Sequence, residues 1–149
     1  MDENTAHADT RGPAAATPAR PATAVWPALR YRDARAAVRF LVEAFGFEET
    51  ALYPVDGDGP EVAHAQLDWP LGGGVMLGSA RGDSAIADLP PGTGAVYVVT
   101  DAPDALFARA RAAGARVVRA PADQDYGSRD FTVADPEGVL WSFGTYTGA

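Results

Sequence analysis

Any chemistry in this chain has to come from a small set of side chains. Cysteine is absent, which removes disulfides, thiolate metal sites and cysteine nucleophiles together. The chain has two histidines, His7 near the N-terminus and His64 in the body. His64 with Asp68, or with Asp130, suits general acid–base work, the carboxylate orienting the imidazole. The same ring suits a structural role in a pocket wall, or the anchoring of a ligand. One imidazole and one carboxylate fall short of the roughly three protein ligands of a catalytic metal site. No nucleophile elbow or redox motif is present. Gly72, Gly73 and Gly74 follow a strand but open no helix, so they read as a hairpin turn and not as a phosphate cradle.

These side chains need elements to hold them, and the chain repeats its own pattern. Residues 25–31 read as a strand. Asp33 then offers an N-cap oxygen to a helix carrying Ala37, Phe40, Leu41, Ala44 and Phe45 on one stripe, and Gly46 ends it. In the second half 95–100 is a strand and Asp101 caps. A helix bearing Ala102, Leu106, Ala110 and Ala113 then stops at Gly114. Aspartate and glycine stand at the same separation in both halves, 33 to 46 and 101 to 114. Three strand candidates follow each helix: 47–55, 62–69 and 74–79, then 116–120, 129–134 and 139–146. Asp135-Pro136-Glu137-Gly138 is turn chemistry between the last two. Each half therefore reads βαβββ, and the expected fold class is α+β.

Alternation assigns the faces. Phe131 and Val133 point one way, Asp130 and Thr132 the other; Ala63, Ala65, Leu67 and Trp69 oppose His64, Gln66 and Asp68. The apolar faces pack under the helices, and the polar faces line something wet or ligand-filled. By the same alternation Trp141 and Phe143 belong to the core.

Residues 1–24, rich in Ala, Pro and Thr, read as a flexible tail, with an arm docked on a partner subunit as the alternative. Residues 25–149 form the domain: module one about 25–80, a linker 81–93 and module two about 94–147. The net charge of −8 argues against nucleic acid. It favours cationic ligands, or serves solubility alone. No apolar run is long enough to span a bilayer and no secretory signal develops, so no membrane partner is expected and the expected location is cytoplasmic.

The paired βαβββ pattern resembles the glyoxalase/bleomycin-resistance/extradiol-dioxygenase group, the vicinal oxygen chelate superfamily. So does the run Tyr126-Gly127-Ser128-Arg129-Asp130-Phe131, followed by Asp135-Pro136-Glu137-Gly138 and Trp141-Ser142-Phe143-Gly144. The resemblance covers about residues 25–147. It implies two tandem modules forming a curved mixed β-sheet cleft with helices on the outer face, often completed in a homodimer whose clefts are shared between chains. Metal-dependent relatives place four His or Glu ligands in that cleft. The matching positions here are Trp26, Leu77, Ala95 and Ser142, and a slip of two residues supplies no better donor. The resemblance thus points to a member without the metal centre, and no cofactor is expected.

Candidate ligand-binding residues are Trp26, Arg30, His64, Gln66, Leu77, Tyr97, Asp130, Thr132 and Ser142. Trp26 and Tyr97 would form an aromatic wall, unless Trp26 merely plugs the space the metal left. Arg30 would pair with a ligand carboxylate or with Asp130. Three functions follow. The first is a metal-free binding protein of the bleomycin-resistance type, sequestering a planar or cationic metabolite or antibiotic. The second is a metal-independent isomerase, cyclase or lyase using His64 with Asp68 or Asp130. The third is an interaction module with a closed cleft.

Overall fold

The computed structural model describes residues 23–82 and 85–148. The expectation of a tail therefore falls largely outside the described residues. Two four-stranded sheets are formed, β1-β4-β3-β2 and β5-β8-β7-β6. The first comprises β1 (Ala28–Tyr31), β2 (Glu48–Pro54), β3 (Val62–Asp68) and β4 (Gly74–Ser79). The second comprises β5 (Ala95–Val99), β6 (Arg116–Asp123), β7 (Arg129–Ala134) and β8 (Leu140–Gly144). In each, the first strand runs parallel to the last, and the remaining ladders are antiparallel. The duplicated α+β pattern is the one the sequence repeat predicts. No helix among the described residues is long and apolar enough to cross a membrane.

The helices begin differently. In α1 (Ala34–Phe40) the Asp33 carboxylate accepts the Ala36 N–H at 3.0 Å, as expected. In α2 (Pro103–Ala112) Asp101 does not cap. Ala102 holds the N-cap position, and its N–H donates to Thr100 Oγ1 at 3.2 Å. Pro103 explains the shift: its fixed φ and missing N–H suit the first helical position, which moves the start beyond the reach of Asp101. The helix ends agree with expectation. After α1 a π-helical turn (Leu41–Phe45) runs into Gly46 at φ +90°, and α2 runs into Gly114 at φ +98°. Arg109 of α2 donates Nε to Glu43 O at 2.9 Å and Nη2 to Val42 O at 3.2 Å. It thereby adds donors to carbonyls at the end of the other helix and ties the helices together.

The helix-facing sides of the two sheets meet in one core. Phe45 and Phe47, just after α1, pack on the second sheet: Phe45 lies 5.4 Å from Trp141 and 4.8 Å from Phe143, and Phe47 lies 5.6 Å from Trp141. Trp69 adds a contact to Phe143 at 5.9 Å. Trp141 and Phe143 are fully buried, as alternation predicts. One detail differs on β3. Tyr53 pairs with His64 but Pro54 with Val62, so Ala63 is an extra residue that bulges. Val62, not Ala63, takes the core position.

The Asp135-Pro136-Glu137-Gly138 turn locks the modules together. Asp135 Oδ2 accepts the Tyr31 hydroxyl at 2.6 Å and the Trp141 indole N–H at 3.0 Å. Its Oδ1 accepts the backbone N–H groups of Glu137, Gly138 and Val139 at 3.1, 3.0 and 3.1 Å. Glu137 caps the backbone N–H groups of Arg32 and Asp33 at 2.6 and 3.0 Å. Burial, then the neighbouring Asp135 carboxylate, pushes the Tyr31 hydroxyl far above the ordinary tyrosine range.

Candidate functional site

Because both sheets give their helix-facing sides to the shared core, their polar faces turn away from it and form separate surfaces. Gly74 and Gly78 sit on β4 of the first surface. A Cβ at Gly74 would meet the Trp26 ring at 2.7 Å, and one at Gly78 would overlap Arg30 Nη1. The glycines thus let Trp26 and Arg30 lie flat on the sheet. Trp26 donates its indole N–H to Thr23 O at 3.1 Å, and Arg30 donates Nε to Ile86 O at 3.2 Å. Gln66 donates to Asp68 Oδ1 at 2.9 Å, and Thr50 to the same oxygen at 3.4 Å. His64 instead stacks on Tyr53, with ring centroids 6.2 Å apart and planes inclined by 21°. The structure shows no His64–Asp68 hydrogen bond.

Leu77 does not belong to this surface. It is 2% exposed and part of the core. The register explains the correction: Leu77 pairs with the core residue Leu29, while Ala28 and Arg30 pair with Met76 and Gly78. Met76 and Gly78 therefore occupy the polar face expected of Leu77.

The second surface centres on Asp130, whose side chain is 3% exposed. Its Oδ1 pairs with Arg119 Nη1 at 2.7 Å and accepts from Gln124 at 3.1 Å; its Oδ2 accepts the Tyr126 hydroxyl at 3.0 Å. Thr132 and Ser142 share a hydroxyl–hydroxyl hydrogen bond of 2.8 Å, joined by Arg119 Nη2 at 3.4 Å. Tyr97 crosses Gly144, where an added Cβ would lie 2.6 Å from the hydroxyl, and donates to Tyr146 O at 2.8 Å. Tyr146 meets Tyr126 edge-on at 6.2 Å. Tyr97, Tyr126 and Tyr146 are all exposed.

Tyr97, Asp130, Thr132 and Ser142 are thus brought together, and Trp26, Arg30, His64 and Gln66 share the other surface. Among the described residues no hydrogen bond, ion pair or ring contact joins the two groups. The expected Arg30–Asp130 pair does not form, since Arg119 occupies Asp130. Nor does Trp26 stack with Tyr97. Sequence reasoning missed Arg119, Gln124, Tyr126 and Tyr146. Arg119 lies on β6 between two register shifts, so simple alternation could not assign its face. Tyr126 stood in a run already singled out, four residues before Asp130, but in a turn where periodicity has no meaning.

The Tyr126 hydroxyl is held above the ordinary tyrosine range, chiefly because it donates to Asp130. Ultraviolet titration should therefore show, besides the buried Tyr31, a late-ionising tyrosine that Asp130→Asn brings back to lower pH. If Asp130→Asn left the titration curve unchanged, this hydrogen bond would not exist in solution.

Between the surfaces, along the free edge of β5, runs a groove of about 550 Å³. Trp69, the turn Gly72–Gly74, Val75, Tyr97 and Val98 line much of it.

A divalent ion finds no fit on these surfaces. The outward residues near the strand positions where relatives hold metal are Trp26 and Ala28, Met76 and Gly78, Ala95 and Tyr97, Ser142 and Gly144. None carries an imidazole or carboxylate. Among the described residues no group of three or more His, Cys, Asp or Glu converges.

Residues 23–143 match the profile of the Glyoxalase/Bleomycin resistance protein/Dioxygenase superfamily. The chain belongs to that superfamily. Within the superfamily, the chain is similar to TioX from Micromonospora sp. ML1, a solved structure. The two are 34% identical with a TM-score of 0.66, over 81% of this chain and 98% of that one. It is also 34% identical to an uncharacterized protein of Mycobacterium tuberculosis, over 81% of this chain and 73% of that protein. A superfamily enzyme from Burkholderia phytofirmans PsJN shares the fold at a TM-score of 0.62 and 23% identity, over 80% of this chain and 94% of that one. The duplicated superfamily pattern accounts for both polar surfaces, one per module.

Proposed function

We propose that this superfamily member is a metal-free small-molecule-binding protein that sequesters a planar metabolite or antibiotic-like compound. The observation carrying this reading is the second surface, where Tyr97, Tyr126 and Tyr146 stand exposed around a buried, fully engaged Asp130. The Tyr97 and Tyr126 phenols, held by hydrogen bonds, and the Tyr146 ring, held edge-on by Tyr126, offer flat faces at low entropic cost, which suits stacking on a planar ligand. The cleft closes when the first surface of one copy meets the second surface of another, since within one chain they face apart. A homodimer with two clefts is therefore part of the proposal. Acid–base catalysis by His64 draws less support, because its ring rests on Tyr53 while Asp68 and Asp130 are engaged elsewhere.

Native mass spectrometry against a panel of planar metabolites and antibiotics tests this reading. The expected species is a dimer with up to two ligands of unchanged mass. Tyr97→Ala should weaken binding by about tenfold, the scale of a lost aromatic stacking partner. A ligand recovered chemically altered, with turnover abolished by His64→Ala, would replace binding with catalysis.

A further inference from the structure

Arg30 contrasts with Arg119, Arg129, Arg109 and Arg35. The chain has 20 acidic residues against 12 basic ones, so carboxylates are in excess. Arg119 pairs with Asp130 at 2.7 Å, and Arg129 with Asp104 and Asp123 at 2.8 and 3.2 Å. Arg109 and Arg35 are spent on backbone carbonyls. Arg30, on the polar face of β1, has no carboxylate partner among the described residues. Its single hydrogen bond is Nε to Ile86 O, and its Nη1 is buried with no acceptor at all.

Burying a cationic donor without an acceptor costs stability, and such groups are rare in folded proteins. Here the backbone is shaped to permit it, because any side chain at position 78 would displace Nη1. With Nε used and Nη1 against the sheet, Nη2 is the nitrogen left for a partner. On its other side the notch at Gly78 is bounded by the backbone carbonyls of Ala63 and Val62. The notch thus holds a guanidinium with one nitrogen open to a partner.

We propose that Arg30 is the anion anchor of the cleft, and that the ligand class is a planar carboxylic acid whose carboxylate meets Arg30. Its ring system lies against the tyrosines of the facing surface. A single open guanidinium nitrogen offers one charge-assisted hydrogen bond, enough for one carboxylate oxygen. The inference rests on the small-molecule reading above, and it narrows that reading to acids.

The test uses the full chain with 2-naphthoate, 2-naphthamide, 2-naphthylmethylamine and 2-naphthyl phosphate, titrated by NMR. Naphthoate should bind about tenfold or more tightly than the amide or amine, the usual worth of a charge-assisted hydrogen bond. Arg30→Met should reduce naphthoate to the level of the amide and leave the amide unchanged, while Arg30→Lys retains part of the preference. The melting temperature of Arg30→Met should equal or exceed that of the parent, since an orphaned donor is removed. A structural role would instead lower it and weaken all four probes alike, which overturns the proposal. Equal binding of amide and acid, or preference for the amine or phosphate, also overturns it while leaving the small-molecule reading intact. No binding by any probe counts against both.

Discussion

Asp135→Ala should cost about 3–5 kcal/mol of stability, the scale for removing one partner from a buried charged network. With total stabilities of about 5–15 kcal/mol for such domains, much of the protein would then melt near working temperature. The reason lies in the number of donors that depend on this carboxylate. Tyr31, Trp141 and three backbone N–H groups all point at it, and both side-chain donors are buried. Asp135→Asn should be milder. Its amide oxygen can still accept the backbone groups, while its NH₂ meets the indole donor of Trp141 head-on. Urea melts of the three proteins check the order, and an Asp135→Ala midpoint equal to that of the parent would refute it. The same cluster sets an alkaline limit. Tyr31 is held neutral in the folded chain, so its contribution is complete below the ordinary tyrosine pKa of about 10. It is lost as pH rises beyond that value toward the folded one. Tyr31→Phe should flatten this part of the pH–stability curve.

Phe143→Ala should cost about 3–5 kcal/mol, as for other buried aromatic truncations, and should weaken both modules at once. The ring touches Phe45 and Trp69 from module one and Phe131 and Trp141 from module two. A shared core of this kind predicts one cooperative transition, with tryptophan fluorescence and far-ultraviolet circular dichroism coinciding before and after the substitution. Two separated transitions would mean that the modules fold independently and that the ring contacts between them contribute little.

Much of the fold was legible because the repeat carries its own punctuation. Asp33, Gly46 and Gly114 marked helix limits through capping and left-handed backbone geometry, and alternation on β7 and β8 sorted Phe131 and Trp141 from Asp130 and Ser142. The errors arose where a local rule met a competing one. Pro103 overrode Asp101 as the start of α2. The bulge at Ala63 and the register shifts around Arg119 broke the period on which facing depends. Leu77 was misplaced by one step of register, which reverses a side chain completely. The candidate site was legible only in halves. That the two polar faces separate depends on how Phe45 and Phe47 dock on Trp141 and Phe143, a long-range packing choice with no signature in local spacing.

The backs of the two sheets being fused has a genetic corollary for the proposed pair. Each polypeptide would lend one wall to each of two binding compartments. A lesion at Arg30 and a lesion at Tyr97, carried on different copies, would then fall together in one compartment and spare the other. Mixing the two weakened variants should restore about a quarter of the full-affinity compartments, because random reassortment makes about half of the dimers mixed and each mixed dimer keeps one intact compartment.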